Sequence, residues 1–170
     1  GPFSIRYPRG TGSVVDWQVP FEKMEVGTGR RLKNGEDVAV LSIGAIGTEA
    51  LKAVEELEKK GVSAGHYDMR FVKPLDEVML HEVFSKFKMV VTVEDGCVQG
   101  GFGSAVVEWM SDQGYVARVK RLGVPDKWIE HGTQAELYEE CGYDAAAIEE
   151  AALELIASSN TSSGSASASA

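Results

Sequence analysis

The sequence predicts an α/β domain with a mainly parallel sheet that is covered by helices on both faces. Residues 38–43 and 88–93 form short, almost wholly apolar runs, which is typical of strands buried on both faces. Segments with helical spacing of apolar residues follow these runs, and glycines or capping residues mark their ends. Strands that alternate with helices pair as parallel neighbours, which gives this fold class.

The first half of the chain contains one linker, one strand and one helix. Residues 1–34 hold three prolines and little periodicity, and they are predicted to be an extended linker. The strand at 38–43 ends at a glycine, and Thr48 is predicted to cap the helix that follows. Gly61 is predicted to end this helix. The apolar side of the helix comprises Leu51, Val54 and Leu57.

The middle of the chain repeats this alternation. Residues 62–71 are a second strand candidate, and Asp76 is predicted to cap a helix over 77–87. The third strand is predicted at 88–93. A glycine-rich turn at 100–104 then opens a helix. Its apolar side comprises Val106, Val107 and Met110.

The last third is predicted to contain one strand, two helices and a tail. The strand lies at 117–122, and Thr133 opens a short helix that ends near Glu140. Asp144 is predicted to cap the last helix. Its apolar side comprises Ala147, Ile148, Ala151 and Leu155. Residues 158–170 are uncharged Ser, Ala, Gly, Thr and Asn, and we expect a flexible tail there.

Composition excludes several classes of function. With 17 Lys and Arg against 26 Asp and Glu, the net charge is -9, whereas nucleic acid and anionic membranes attract clustered basic residues. No apolar run reaches the roughly 20 residues of a membrane helix, and no secretory signal is visible. Two cysteines without C-x-x-C spacing indicate reduced thiols of an intracellular protein, and three separated histidines favour structural roles over metal binding. Because residue 1 is Gly and not Met, we expect processing or a longer parent chain.

The glycine-rich turn at 100–104 has two interpretations. A strand, a glycine turn and a helix in succession can cradle a phosphate. However, the dinucleotide pattern G-x-G-x-x-G fails at Val106, and no P-loop pattern is present. Close packing of the helix against the strand explains the glycines without a ligand, and it is the favoured interpretation.

Acidic residues at two strand ends also have alternative roles. Glu94 and Asp95 follow the third strand, where ligands of open α/β sheets bind. They could bind a metal or act as acid and base, but adjacent strand residues point in opposite directions, which favours capping or turn hydrogen bonds. In the segment 68–76, two cations lie beside acids, and strand-end ion pairs are expected there.

The segment 6–10 (RYPRG) is cationic in an acidic chain. Its proline stiffens the backbone, and a guanidinium on a rigid turn binds phosphate or carboxylate in a bidentate manner. A salt bridge to the domain is the alternative, and composition leaves both open.

Six ordered segments together carry a family resemblance. They are RYPRG (6–10), DMRFVKPLD (68–76), VTVE (91–94) with GGFGS (100–104), and LGVPD (122–126) leading to IEHGT (129–133). This set resembles the C-terminal part of the 1-deoxy-D-xylulose-5-phosphate synthases, which are transketolase-like, thiamine-diphosphate-dependent enzymes. The resemblance covers residues 1–157.

The resemblance implies a division into parts. Residues 1–34 would be the end of the middle, pyrimidine-binding domain plus a linker, and 35–157 a transketolase-like C-terminal domain, followed by the tail at 158–170. The implied fold is a three-layer α/β/α domain with a mostly parallel five-stranded sheet and one antiparallel edge strand. Thiamine diphosphate and Mg²⁺ would be bound by domains that lie outside this sequence, so that the fragment alone binds neither and is inactive.

The resemblance also implies a reaction and one substrate contact. The parent would join pyruvate and glyceraldehyde 3-phosphate with loss of CO₂, for isoprenoid, thiamine and pyridoxal synthesis, as a homodimer in the bacterial cytoplasm or plastid stroma. Arg9 would bind the phosphate of glyceraldehyde 3-phosphate, and no residue of the chain would be catalytic. The alternatives are a non-catalytic assembly module and a C-terminal domain like that of a 2-oxoacid dehydrogenase β subunit.

Overall fold

The computed structural model describes residues 2, 4, 20 and 22–163. It contains five strands: β1 (Arg30–Lys33), β2 (Val38–Ile43), β3 (Ala64–Asp68), β4 (Met89–Cys97) and β5 (Arg118–Val124). The helices are α1 (Gly47–Lys59), α2 (Glu77–Lys86), α3 (Phe102–Asp112), α4 (Gln134–Cys141) and α5 (Ala145–Ser163). The strands form one sheet in the order β1-β3-β2-β4-β5, in which only β1 and β3 pair in antiparallel fashion among these described strands. The predicted fold class is therefore confirmed.

Strand β2 shows why both sheet faces are covered. Val38 and Val40 pack on the side of α1 and α5, whereas Ala39 and Leu41 pack on the side of α2 and α3. All four side chains are fully buried. Because a strand alternates its side chains between faces, a continuous apolar run is needed when helices cover both faces.

The segment predicted as a linker contains the edge strand β1. Arg30 pairs with Asp68 and Lys33 with His66 of β3. The sequence of β1 is RRLK, and three of its four residues are exposed. An edge strand needs no apolar run, and here Arg30 is joined to the carboxylate of Asp68 at 2.9 Å. The linker prediction was wrong for these residues, and β1 supplies the antiparallel edge that the resemblance implied.

Three helix starts match their predicted caps. Asp76 accepts a hydrogen bond from the Met79 N–H at 2.9 Å, and Asp144 accepts one from the Ala147 N–H at 2.8 Å. Thr133 forms a capping box with Glu136 at the start of α4. These side chains satisfy backbone donors that a helix cannot pair internally.

The start of α1 differs from its prediction. A turn of 3-10 helix, Gly44–Ile46, leads directly into α1 at Gly47. Thr48 therefore lies inside the helix, and its hydroxyl donates to the carbonyl of Ala45. Leu51 is exposed, so its assignment to the buried side was wrong. The buried side comprises Ala50, Ala53, Val54 and Leu57. Gly61, at φ +79°, follows the end of the helix as predicted.

Several boundaries differ from their predictions. Strand β3 is shorter than the predicted 62–71, and β4 continues past 93 to Cys97 through an irregularity in its pairing with β5. Helix α5 runs to Ser163, beyond residue 158 where the tail was predicted to begin. No helix in the described residues is long and apolar enough to cross a membrane.

Candidate functional site

Glu94 lies at the carboxyl edge of the sheet and closes the start of α3. Its carboxylate is buried and accepts hydrogen bonds from the N–H groups of Phe102 and Gly103, both at 2.8 Å. These amides begin α3, where a helix presents unpaired donors and a partial positive charge. The carboxylate thus occupies the position that a phosphate would take, and the capping interpretation of Glu94 is confirmed.

The glycines of the turn allow close contact with β4. A Cβ atom added to Gly101 would lie 2.2 Å from the Glu94 Oε2 and 2.2 Å from the Cys97 carbonyl oxygen. One added to Gly103 would lie 2.5 Å from the Thr92 hydroxyl. Any side chain at either position would collide with these atoms, so the packing interpretation of the turn is confirmed.

Asp95 points away from Glu94, as adjacent strand residues do. Its carboxylate accepts hydrogen bonds from the hydroxyls of Tyr143 at 3.0 Å and Tyr138 at 3.5 Å. Burial and then the neighbouring Asp95 raise the pKa of Tyr143 far above its ordinary value, so this phenol remains a neutral donor. Glu94 therefore bonds to the start of α3, whereas Asp95 bonds to Tyr138 of α4 and to Tyr143, and the two carboxylates do not converge on one site.

The acids of segment 68–76 also have structural partners. Asp68 is 2.9 Å from the Arg30 guanidinium and 4.0 Å from that of Arg70, so a strand-end ion pair within the segment is confirmed for Arg70. Asp76 accepts a second hydrogen bond, from the Gly29 N–H at 2.7 Å. This contact attaches the chain before β1 to the loop after β3.

Ser42 and His66 form a buried polar pair that the sequence did not reveal. The Ser42 hydroxyl and His66 Nε2 are 2.9 Å apart, and both residues are fully buried. Burial is the main cause that lowers the pKa of His66 to about 4, so the ring is neutral near pH 7. The pair joins the neighbouring strands β2 and β3 inside the domain. The sequence signal that could have indicated this pair is the position of His66 within a predicted strand.

Arg9, the predicted phosphate-binding residue, lies outside the described residues. Within the described part of the chain, no three His, Cys, Asp or Glu side chains lie close enough to hold a metal ion. The N-terminal amides of α3 are already paired with Glu94. The described residues therefore do not fit a diphosphate group with its Mg²⁺. Cys97 and Cys141 are free thiols.

Comparison with known protein families identifies the family of this domain. The family model described as "Transketolase, C-terminal domain" matches residues 27–148, which contain the whole sheet and the Glu94 cap. The chain belongs to the transketolase C-terminal domain family. This match includes β1, in agreement with its place in the sheet.

Curated members that contain this transketolase C-terminal domain are much longer than the chain. A 1-deoxy-D-xylulose-5-phosphate synthase of Cytophaga hutchinsonii is 57% identical over 148 residues, which are 87% of this chain and 23% of that protein. The synthase of Bacteroides thetaiotaomicron is 57% identical over 145 residues, 85% of this chain and 22% of that protein. The chain thus spans less than a quarter of these relatives and corresponds to their C-terminal portion.

Solved structures show the same domain. A split gene transketolase, described as an inactive beta4 tetramer, matches 80% of this chain and 44% of its own with a TM-score of 0.74 at 34% identity. The transketolase of Campylobacter jejuni matches 75% of this chain and 18% of its own with a TM-score of 0.54. At 17% identity, the second likeness concerns the fold alone.

Proposed function

We propose that the chain is the C-terminal portion of a 1-deoxy-D-xylulose-5-phosphate synthase and that it supports the enzyme's assembly without carrying the cofactor. The supporting observation is the identity of 57% over 148 residues with a relative of that name. The geometry agrees, because the one helix start that resembles a phosphate cradle is filled by the chain's own Glu94. A stand-alone module or a 2-oxoacid dehydrogenase fragment is not favoured by this identity.

The proposed parent joins pyruvate and glyceraldehyde 3-phosphate with loss of CO₂. Thiamine diphosphate and Mg²⁺ would be bound by the remaining domains, since the described residues do not fit them. The parent is proposed to be a homodimer in the bacterial cytoplasm or the plastid stroma, and its product is proposed to feed isoprenoid, thiamine and pyridoxal synthesis.

A domain exchange tests this proposal. In the Cytophaga hutchinsonii synthase, the matched C-terminal region is replaced by residues 1–157 of this chain. We expect the chimera to form product from pyruvate and glyceraldehyde 3-phosphate, because more than half of the matched residues are identical. The 170-residue chain alone is expected to form none.

The matched control carries the C-terminal domain of the Campylobacter jejuni transketolase, which shares the fold but is 17% identical to this chain. It is expected to be inactive in the same assay. A folded chimera with residues 1–157 that forms no product would contradict the proposed function, as would turnover by the chain alone.

Arg9 is proposed to bind the phosphate of glyceraldehyde 3-phosphate. In the active chimera, Arg9→Ala should raise the KM for this substrate roughly thirtyfold, because a charge-assisted hydrogen bond contributes about 2 kcal/mol. The KM for pyruvate should change little. Arg6→Ala, in the same segment, is the control and should affect both substrates weakly. Equal increases for both substrates with Arg9→Ala would count against the phosphate role.

A further inference from the structure

The two outer strands of the sheet, β1 and β5, differ in how their cations are paired. Each cation of β1 is joined to a carboxylate, in the pairs Arg30–Asp68, Arg31–Glu82 and Lys33–Glu58. Strand β5 also carries three cations, which are Arg118, Lys120 and Arg121. Among the described residues, only Lys120 of these three is joined to a carboxylate, that of Glu154 at 3.1 Å. Strand β5 therefore carries uncompensated positive charge in a chain whose net charge is -9.

The backbone of β5 is paired on one side only within the described sheet. It is the last strand in the sheet order, and its neighbour is β4. The Arg118 N–H donates to the carbonyl of Lys88 at 2.8 Å, so this N–H points towards β4. Because backbone polar groups alternate in direction along a strand, those of Val119 and Arg121 point to the opposite side. These N–H and C=O groups are the ones with which a further strand would pair.

Cationic side chains lie on both faces of this open edge. Lys120 contacts α5 through Glu154, and Arg118, two residues earlier, lies on the same face. Arg121 lies on the other face, where its guanidinium donates to the Val98 carbonyl at 2.9 Å and to the Ser104 hydroxyl at 2.6 Å. Both acceptors are neutral, so the charge of Arg121 is not compensated by them. All three cations are exposed.

We propose that the open edge of β5 binds an extended, acidic segment of a partner protein, which adds to the sheet as a further strand. Cations along an edge oppose pairing with apolar or cationic strands, whereas opposite charges on neighbouring strands stabilise their pairing. The outward backbone groups would supply affinity and the cations selectivity. Val116, which is 82% exposed, precedes β5 and would contact an apolar residue at one end of the segment. The proposal does not depend on the activity of the parent enzyme.

Other occupants match the edge less well. Pairing β5 with β5 of a second copy would bring the same cations together. Residues 5–19 and 164–170, which lie outside the described residues, hold two arginines, one aspartate and no other charged residue, so they do not supply an acidic strand. A DNA backbone offers phosphate oxygens to the outward N–H groups but no donor to the outward carbonyls of Val119 and Arg121.

The test titrates the isotope-labelled 170-residue chain with the acetylated and amidated hexapeptide Glu-Glu-Thr-Glu-Thr-Val. When the peptide is aligned in antiparallel fashion with residues 116–121, its carboxylates oppose the three cations and its valine opposes Val116. We expect saturable NMR shifts at millimolar peptide, largest at the amides of Val119 and Arg121, from which the Kd follows. Two control peptides, one with lysine in place of each glutamate and one with alternate amides N-methylated, should not bind.

A charge reversal in the chain tests the contact itself. Arg118→Glu should weaken binding of the acidic peptide roughly fivefold, because a repulsive cross-strand pair replaces an attractive one. Lys23→Glu, an exposed change before β1 that alters the net charge equally, is the matched control and should leave the Kd unchanged. A peptide with lysine at its fourth position should bind Arg118→Glu more tightly than it binds the wild type. A variant that merely failed to fold would not show this rescue.

Four outcomes would overturn the proposal. Saturable shifts that are absent with the acidic peptide, or equal with the N-methylated peptide, would exclude strand addition. An unchanged Kd for Arg118→Glu would exclude recognition by charge. Shifts of the Val119 and Arg121 amides with rising chain concentration, without peptide, would assign the edge to a second copy. Tighter binding of single-stranded octathymidylate at the same amides would assign it to nucleic acid.

Discussion

A Glu94→Ala variant is expected to lose about 4 kcal/mol of folding free energy, because each of its two charge-assisted hydrogen bonds contributes about 1.5–3 kcal/mol. The substitution leaves the N–H groups of Phe102 and Gly103 without their acceptor. It also opens a gap beside Gly101, whose backbone packs against the carboxylate. Since domains are stable by about 5–15 kcal/mol, the variant should unfold far more readily in urea than the wild type.

Two further variants distinguish the loss of the α3 cap from a general effect of removing a negative charge. Glu94→Gln retains one carbonyl oxygen as an acceptor, so we expect about half of the loss, or about 2 kcal/mol. Asp95→Ala removes the adjacent, exposed carboxylate, whose partners are tyrosine hydroxyls, and should cost about 1 kcal/mol. Urea unfolding followed by circular dichroism gives all three values. Equal losses for Glu94→Ala and Asp95→Ala would show that the α3 cap is not a principal stabilising contact.

Elements with a strong local signal were predictable. Strand β2 was placed at its observed bounds, because helices on both faces demand a continuous apolar run. The caps at Asp76, Thr133 and Asp144 were predictable because a short polar side chain before a helix satisfies local donors. These contacts are made within a few residues of sequence, so they leave a readable pattern.

Elements without such a signal were missed. Strand β1 is charged and exposed, and only its pairing with β3, which lies far along the chain, makes it a strand. The start of α1 was misplaced because a turn of 3-10 helix leads directly into it, and no side chain caps its first turn. In both cases tertiary contacts or backbone geometry overrode local preference.

The candidate site was predictable in kind but not in detail. Spacing alone allowed Glu94 to be a ligand, a catalyst or a cap, and the two 2.8 Å contacts with α3 decided for the cap. Ser42 and His66 lie 24 residues apart and meet only because β2 and β3 are neighbours. The exposure of Trp128 is likewise a tertiary property, since an aromatic residue in a loop can be buried or exposed.

His66 is expected to make the domain sensitive to mild acid. In the folded chain its pKa is lowered to about 4, mainly by burial, with Asp68 and Arg30 exerting smaller, opposing effects. An unfolded histidine has a pKa of about 6.5. Between these values the unfolded chain binds a proton that the folded chain excludes, so stability is present above pH 6.5 and is lost as the pH falls towards 4. The loss should be about 2.5 kcal/mol between about pH 7.5 and about pH 4.5.

The geometry explains why the folded ring resists protonation. His66 is fully buried, and its Nδ1 has no hydrogen-bond partner among the described residues, so a charged ring would hold an N–H without an acceptor. In His66→Gln the titrating group is absent, and the unfolding free energy measured in urea should fall about 2.5 kcal/mol less over the same pH interval. His81→Gln, which replaces an exposed histidine on α2, is the matched control variant. Parallel pH profiles for the wild type and His66→Gln would show that other groups determine the acid sensitivity.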